Sequence, residues 1–270
     1  YDALVKEKLS AGSHFAAARE AAIGELLGNN YGGELSGSNN ILAVEYLKAL
    51  TRLSSDITFK TISRIGGAHD DIAPGEFVSA MQIRKQLHMG SLPFGTVPSS
   101  TLREIAKHEE EGHCPASFQP IERAVLAKLR TMSAAEFATL PDISEGLENK
   151  LLKAVKTADS LKTLYATMKS KRYSHARMRR LVLHAFLGIS ADSQKLHYIK
   201  ILGMTQRGEG IIKKAKPDLP LIGKSTEIYK LSKTAQKCFA AEAQADDLYG
   251  LTTPQILPCG LTYTKKIIKT

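Results

Sequence analysis

Apolar positions along this chain recur mostly at helical spacing, with only short stretches of alternation. Residues 2–9 and 13–28 are rich in Ala and read as two helices, the second with Ser13 placed to cap its start. Residues 29–33, two asparagines, a tyrosine and two glycines, read as a break, and residues 36–40 as a second polar loop. Ile41, Val44, Leu47 and Leu50 then fall three apart, which predicts an amphipathic helix over 41–53. Residues 57–62 alternate apolar and polar like a strand. A loop with Arg64, Gly66 and Gly67 follows, and Ser79 opens a helix through His88. A loop, a helix, a strand, a loop and a helix in that order fit the tail of an α/β nucleotide-binding unit.

Pro93 and Pro98 mark residues 91–100 as loop, and the pattern changes character there. We place a domain boundary near residue 97, giving an α/β remainder over 1–97 and a mainly helical domain over 98–270. Thr101 with Glu104 and Ser133 with Glu136 both fit the capping-box spacing. Pro120 suits the first turn of a helix through Arg130. Helices are expected over 146–158, 160–170 and 174–188, short strands over 198–204 and 219–222, and a last long helix over 225–248. No internal repeat or low-complexity segment interrupts this order.

Composition excludes some classes. With 43% hydrophobic and 24% charged residues the chain is globular rather than disordered. No apolar run approaches the roughly 20 residues that span a bilayer, so no membrane partner is expected, and no signal-peptide pattern opens the chain. Cys114, Cys238 and Cys259 are odd in number and far apart, which argues for reduced thiols and a cytoplasmic protein. The eight histidines show no metal-ligand spacing, so no metal site is expected. The chain starts at Tyr1, directly at a helix, and a preceding segment is expected.

Charge changes the picture most. Of the net +10, residues 160–216 carry 13 Lys/Arg against two acids, Asp192 and Glu209, so the excess is one block. A concentrated cationic block suits a polyanion such as a nucleic acid. Its centre holds Lys169, Lys171, Arg172, Arg177, Arg179 and Arg180, followed at once by the apolar residues 181–187. Ser174 would cap a helix there, with Met178, Leu181, Val182, Ala185 and Phe186 toward a core. Arg177, Arg180 and His184 then share a side. Cations oppose the dipole at a helix start, and anchoring phosphates would give that cost a reason. Lys169, Lys171, Arg172, Arg177 and Arg180 are the candidate anchors, and Tyr165, Tyr173 and Tyr198 the candidate stacking partners for unpaired bases. The competing reading pairs Arg177 and Arg180 with acids such as Glu145 and Glu148. For a nucleotide, Asn39 and Asn40 sit at a helix start, where backbone amides favour anions. Arg64, Ser79 and Arg84 could add donors to a triphosphate.

Five segments, residues 38–50, 64–71, 79–84, 145–149 and 171–174, resemble the bacterial tRNA(Met) cytidine acetate ligase family, in the family's order and over almost the whole chain. The resemblance implies a nucleotidyltransferase fold of the Rossmann type, of which this chain holds the C-terminal part. It implies that ATP and acetate form acetyl-adenylate, and that the exocyclic amine of the wobble cytidine of elongator tRNA(Met) takes the acetyl group. The product would be N4-acetylcytidine, with AMP released. Asn39 and Arg64 match family positions that contact ATP, and magnesium is expected with the nucleotide. Arg84 matches the arginine of a Ser/Thr-rich helix start that serves the phosphates, but Ala80 and Met81 stand where that pattern has Ser and Thr. The family's His-x-Gly-His motif is not found: His14, His69, His88, His108 and His113 lie in other contexts. The chain by itself is therefore expected to bind tRNA without forming the adenylate. Two other readings stay open at this point: a non-catalytic RNA-binding module, and an adenylyltransferase acting on a small metabolite.

Overall fold

A computed structural model describes residues 1–13, 15–34, 37–63, 78–144, 146–170, 173–190 and 195–270, apart from the side chains of 33, 34 and 38. By internal contacts the chain divides into two units: residues 1–104 with 169–174, and residues 105–168 with 175–270.

The first unit opens with α1 (Asp2–Ser10), α2 (Phe15–Leu27) and α3 (Asn29–Glu34). Val5, Ala18 and Ala22 form its small core, with Leu4 and Leu9 against it. The break expected over 29–33 is a single-residue corner instead. Gly28, at φ +107°, ends α2, and the chain turns straight into α3. The small residues that looked like a loop signal serve close packing. A Cβ on Gly32 would stand 2.9 Å from the Glu20 carbonyl oxygen and 3.2 Å from Gly24 Cα. α4 (Ser38–Arg52) starts three residues before the expected point. α5 (Ala80–His88) begins as expected after Ser79. The strand expected over 57–62 does not form. Among the described residues nothing pairs with it, and Ile57, Phe59 and Ile62 are exposed, Ile62 at 96%. Alternation marks a surface that could be half-buried, but a strand exists only where a neighbour completes its ladder.

α6 (Ser99–Glu110) bridges the unit boundary in sequence. It starts two residues before Thr101, so the expected cap at Thr101 lies inside the helix. In the second unit, a 3-10 turn with Pro120 leads into α7 (Glu122–Thr131). α8 (Ala134–Ala138) has the capping box expected at Ser133. The Glu136 amide donates to Ser133 Oγ at 3.3 Å, and the Ser133 amide donates to Glu136 Oε2 at 2.7 Å. α9 (Leu147–Thr157), α10 (Leu161–Met168) and α11 (His175–Leu187) complete the helical layer. Its core comes from Val125, Leu126 and Leu129 of α7, Phe137 of α8, and Leu147, Leu151, Ala154 and Val155 of α9. Leu164 and Met168 of α10 and Met178, Leu181, Val182 and Ala185 of α11 join them. On α11 the buried Met178, Leu181, Val182 and Ala185 are positions expected to face a core, while Phe186 is half-buried, and on each helix one stripe must leave water.

Two charged side chains of α7 set how its neighbours end. Glu122 Oε1 accepts from the Leu161 amide at 2.8 Å, closing the start of α10. Arg130 Nη2 donates to the Ala158 carbonyl at 2.8 Å, closing the end of α9. Each charge has the sign that the facing helix dipole favours.

The remainder holds short strands and further helices. β1 (Ile199–Lys200) pairs in parallel with β3 (Leu221–Ile222), and β2 (Gly203–Met204) with β4 (Ile268–Lys269). The strand expected over 198–204 is thus two separate pieces. α12 (Gln206–Lys214) lies between them and β3, with the Gly208 amide donating to the Thr205 hydroxyl. Its two glycines hid it from propensity reading. The last long helix, α13 (Lys233–Tyr249), is capped by Ser232 and shorter than expected, because Ser225–Lys230 is a 3-10 helix. α14 (Leu261–Thr264) follows. Ile222, Ile228, Ala235 and Phe239 form a second core, with Tyr198 and Leu231 against it.

Glu122→Ala should leave the Leu161 amide unpaired and lower unfolding free energy by about 1–3 kcal/mol in a denaturant titration. Glu122→Gln, which keeps an acceptor, should recover most of the loss. Glu227 accepts from the Gly223 amide at 2.7 Å and the Lys224 amide at 3.1 Å, and these bonds hold its carboxyl below the usual range. Its stabilising contribution is therefore present above the unfolded carboxylate pKa and is lost as pH falls through the lowered folded value. The acid limb of stability against pH should be shallower in Glu227→Gln than in the parent.

Candidate functional site

In the first unit Asn39, Asn40 and Ser79, of the candidate nucleotide residues, lie at two helix starts. α4 has Gly37 at its N-cap in extended backbone, a residue with no side chain to close the cap itself. The first amides of a helix have no partner within it, so this start offers donors to an anion. Asn39 and Asn40 stand in that first turn, both exposed. α5 starts differently. Ser79 is buried, its Oγ accepts from the Gln82 amide at 3.3 Å, and its own amide donates to Gln82 Oε1 at 3.0 Å. The Ser79 hydroxyl is thus engaged in closing the helix. Arg84 lies on α5 and is exposed. Arg64 lies outside the described residues, as does the loop around it. No acid stands in the first turn of α4 or of α5. Those turns therefore suit phosphate oxygens and not a magnesium ion held by carboxylates.

The basic stretch is divided between the units. Lys169 belongs to the first and is exposed, and Lys171 and Arg172 lie outside the described residues. Arg177 and Arg180 belong to α11 in the second unit, and both turn to the loop between α8 and α9. Arg177 donates to the Asp142 carbonyl from Nη2 at 2.6 Å and from Nε at 3.2 Å, and to Ser144 Oγ at 2.9 Å. Arg180 reaches Asp142 Oδ2 at 3.3 Å and keeps about half of its side chain in solvent. The competing reading named acids such as Glu145 and Glu148; among the described residues Asp142 takes these guanidinium groups, and Glu145 lies outside the described residues. Asp142 sits at φ +66°, a conformation that costs a non-glycine residue about 1–2 kcal/mol. Arg177 ties that strained carbonyl in place.

Of the candidate stacking residues, Tyr198 is committed to the second core. Its hydroxyl donates to Glu242 Oε2 at 2.7 Å, and its ring tilts against Phe239 at 6.1 Å between centroids. Burial raises its pKa well above the usual tyrosine value. Tyr165 is half-buried under the Arg179 guanidinium, 5.9 Å from its ring centroid. These two side chains line an open cleft of about 520 Å³ with Ser117, Phe118, Gln119 and Glu122. Tyr173 bridges to Ser170 in the first unit.

A model of the HIGH nucleotidyltransferase family matches residues 1–259. Curated relatives named tRNA(Met) cytidine acetate ligase align with the whole chain. The protein of Caldanaerobacter subterraneus subsp. tengcongensis is 34% identical over 69% of its own length, and that of a Thermoanaerobacter species 33% identical over 69%. The chain belongs to the tRNA(Met) cytidine acetate ligase family. The crystal structure of Thermotoga maritima TmcAL without ligand superposes with a TM-score of 0.90 at 24% identity, covering all of this chain and 71% of that one. A second form, bound with alpha-thio ATP, gives 0.88 at 23%, covering all of this chain and 70% of that one. The nucleotidyltransferase fold expected for the acetate ligase family is therefore the fold present.

Two features of this family member escape a reading of sequence alone. Asp142 gave no signal, because its part is played mainly by a backbone carbonyl. The pairing of Arg179 with Tyr165 joins residues on different helices, and no local spacing encodes it. The two arginines on Asp142 should separate by experiment. Arg177→Ala should lower thermal stability, whereas Arg180→Ala should leave it nearly unchanged, since an exposed ion pair contributes about 0–1 kcal/mol. Paired melting curves check this.

Proposed function

We propose that this chain serves the ATP-dependent acetylation of the wobble cytidine of elongator tRNA(Met), with acetate as co-substrate. The observation that carries the reading is identity of 33–34% along the whole chain to proteins named for that reaction. The structure supports it in two places. The start of α4 sets Asn39 and Asn40 in a first helical turn, where phosphates of ATP meet backbone donors, with Ser79 closing α5 so that Arg84 is presented from a fixed helix. Arg64 joins this group by its place in the family pattern. Magnesium would arrive on the nucleotide's phosphates. The relative solved with alpha-thio ATP supports nucleotide binding as a property of this fold.

For tRNA, the block over 160–216 supplies the charge. Lys169, Lys171, Arg172, Arg177 and Arg180 are the proposed anchors, with Arg180 the more available of the two on α11. Arg177 contributes chiefly by holding the Asp142 turn that Arg180 also meets. Arg179 over Tyr165 adds an amphipathic surface of the sort that receives an unstacked base. A small-metabolite adenylyltransferase has no comparable use for so large a cationic block.

Binding of the chain to elongator tRNA(Met), against an unrelated tRNA across a salt series, tests the reading. Preference for tRNA(Met) with affinity falling steeply in salt is expected, and Arg180→Ala should weaken binding and reduce the salt slope by about one. Absence of tRNA binding at low salt would remove the anchor. Asn39→Ala should weaken binding of a fluorescent ATP analogue with the fold intact by circular dichroism. Unchanged nucleotide affinity would take Asn39 out of the site.

A further inference from the structure

The end of α6 brings together three potential metal ligands that the sequence gave no reason to group. His108 Nδ1 lies 3.3 Å from Glu111 Oε2, and His113 Nδ1 lies 3.2 Å from the same oxygen. One ligand atom from each residue falls within 4.8 Å of the other two. We propose that His108, Glu111 and His113 form a binding site for a divalent transition ion of the zinc class, independent of the ligase reading.

The distances leave room for an ion between the three side chains. A charge-assisted bond between imidazolium and carboxylate closes to about 2.7–2.9 Å, and both contacts here are longer. With bonds of about 2.0–2.1 Å, the edge of a tetrahedron around zinc is about 3.3 Å. The two measured separations match that edge. Two imidazoles and one carboxylate suit zinc and its neighbours better than calcium or magnesium, which prefer all-oxygen shells.

The backbone holds the ligands in place. The His113 amide donates to the His108 carbonyl at 2.8 Å, and the Gly112 amide to the Glu109 carbonyl at 3.0 Å. Together they close the helix in a Schellman motif that fixes the two histidines relative to each other. Gly112 makes that turn at φ +70°. It is also pinned from outside: its carbonyl accepts from the Gln255 amide at 2.8 Å, and a Cβ on it would meet Gln255 Cβ at 2.9 Å. All three ligands are partly exposed, with side chains 30–50% accessible, so an ion can reach them without opening the fold. Three protein ligands leave a tetrahedral ion one position for an outside group, as in sites that bind water or an anionic oxygen.

The test is zinc retention by the full chain after dialysis, with isothermal titration, and the absorption spectrum of the cobalt form. One ion per chain is expected, with cobalt bands typical of tetrahedral nitrogen and oxygen ligation. The double variant His108→Gln, His113→Gln should keep its circular dichroism spectrum and lose affinity by tenfold or more, since changes merely next to metal ligands already cost about 10-fold. His88→Gln, on α5, should bind as the parent does. Failure of the parent to retain zinc would overturn the proposal. So would undiminished zinc in the double variant, which would place the ion elsewhere, or a thiolate charge-transfer band from cobalt, which would place it on Cys114, Cys238 or Cys259.

Discussion

The helical layer of the second unit depends on α7 bracing its neighbours at both ends. Glu122 takes the first free amide of α10, and Arg130 takes the last free carbonyl of α9. The corner between those two helices, around Ala158 and Ser160, is thereby held from outside. Apolar burial supplies the driving force, but it is non-directional. The two charge-assisted bonds set where α9 must stop and α10 must start. That in turn fixes which faces of α10 and α11 meet α7, and so where Tyr165 and Arg179 come together.

What the sequence disclosed follows from this division of labour. The apolar stripe of α11 was legible, because burial acts on every residue of a helix face: the buried Met178, Leu181, Val182 and Ala185 lie where the spacing put them. Local chemistry was legible when it was complete within a few residues, as at Ser133 with Glu136 or Pro120 in its turn. The alternation over 57–62 was misleading because a strand's hydrogen bonds belong to its partner. The glycines near residue 30 were misleading because close helix packing and a flexible loop both select small residues, and only Gly32 against Gly24 shows which applies.

The candidate site was legible in part. Charge density pointed to the basic stretch, and helix starts to Asn39 and Ser79, since both are properties of short segments. The assignments within the stretch were not legible. Arg177 and Arg180 look alike in sequence, yet one is bonded to a strained carbonyl and the other meets a carboxylate from solvent. A side chain on a cationic helix can serve the fold or a ligand, and the acceptor across the turn decides which.

The two parallel strand pairs have a further consequence, for the order in which the chain can fold. Gly203 pairs with Ile268, and Ile199 with Leu221, each across intervening helices. α12 and α13 can form from neighbouring residues as soon as they are made. β2 has to wait for β4, beyond α12, α13 and α14, before its ladder closes. Contacts of such long separation form late and raise the entropy of the folding barrier. The two strand pairs thus close after the helices between their strands and open before them, a slow clasp on locally formed helices.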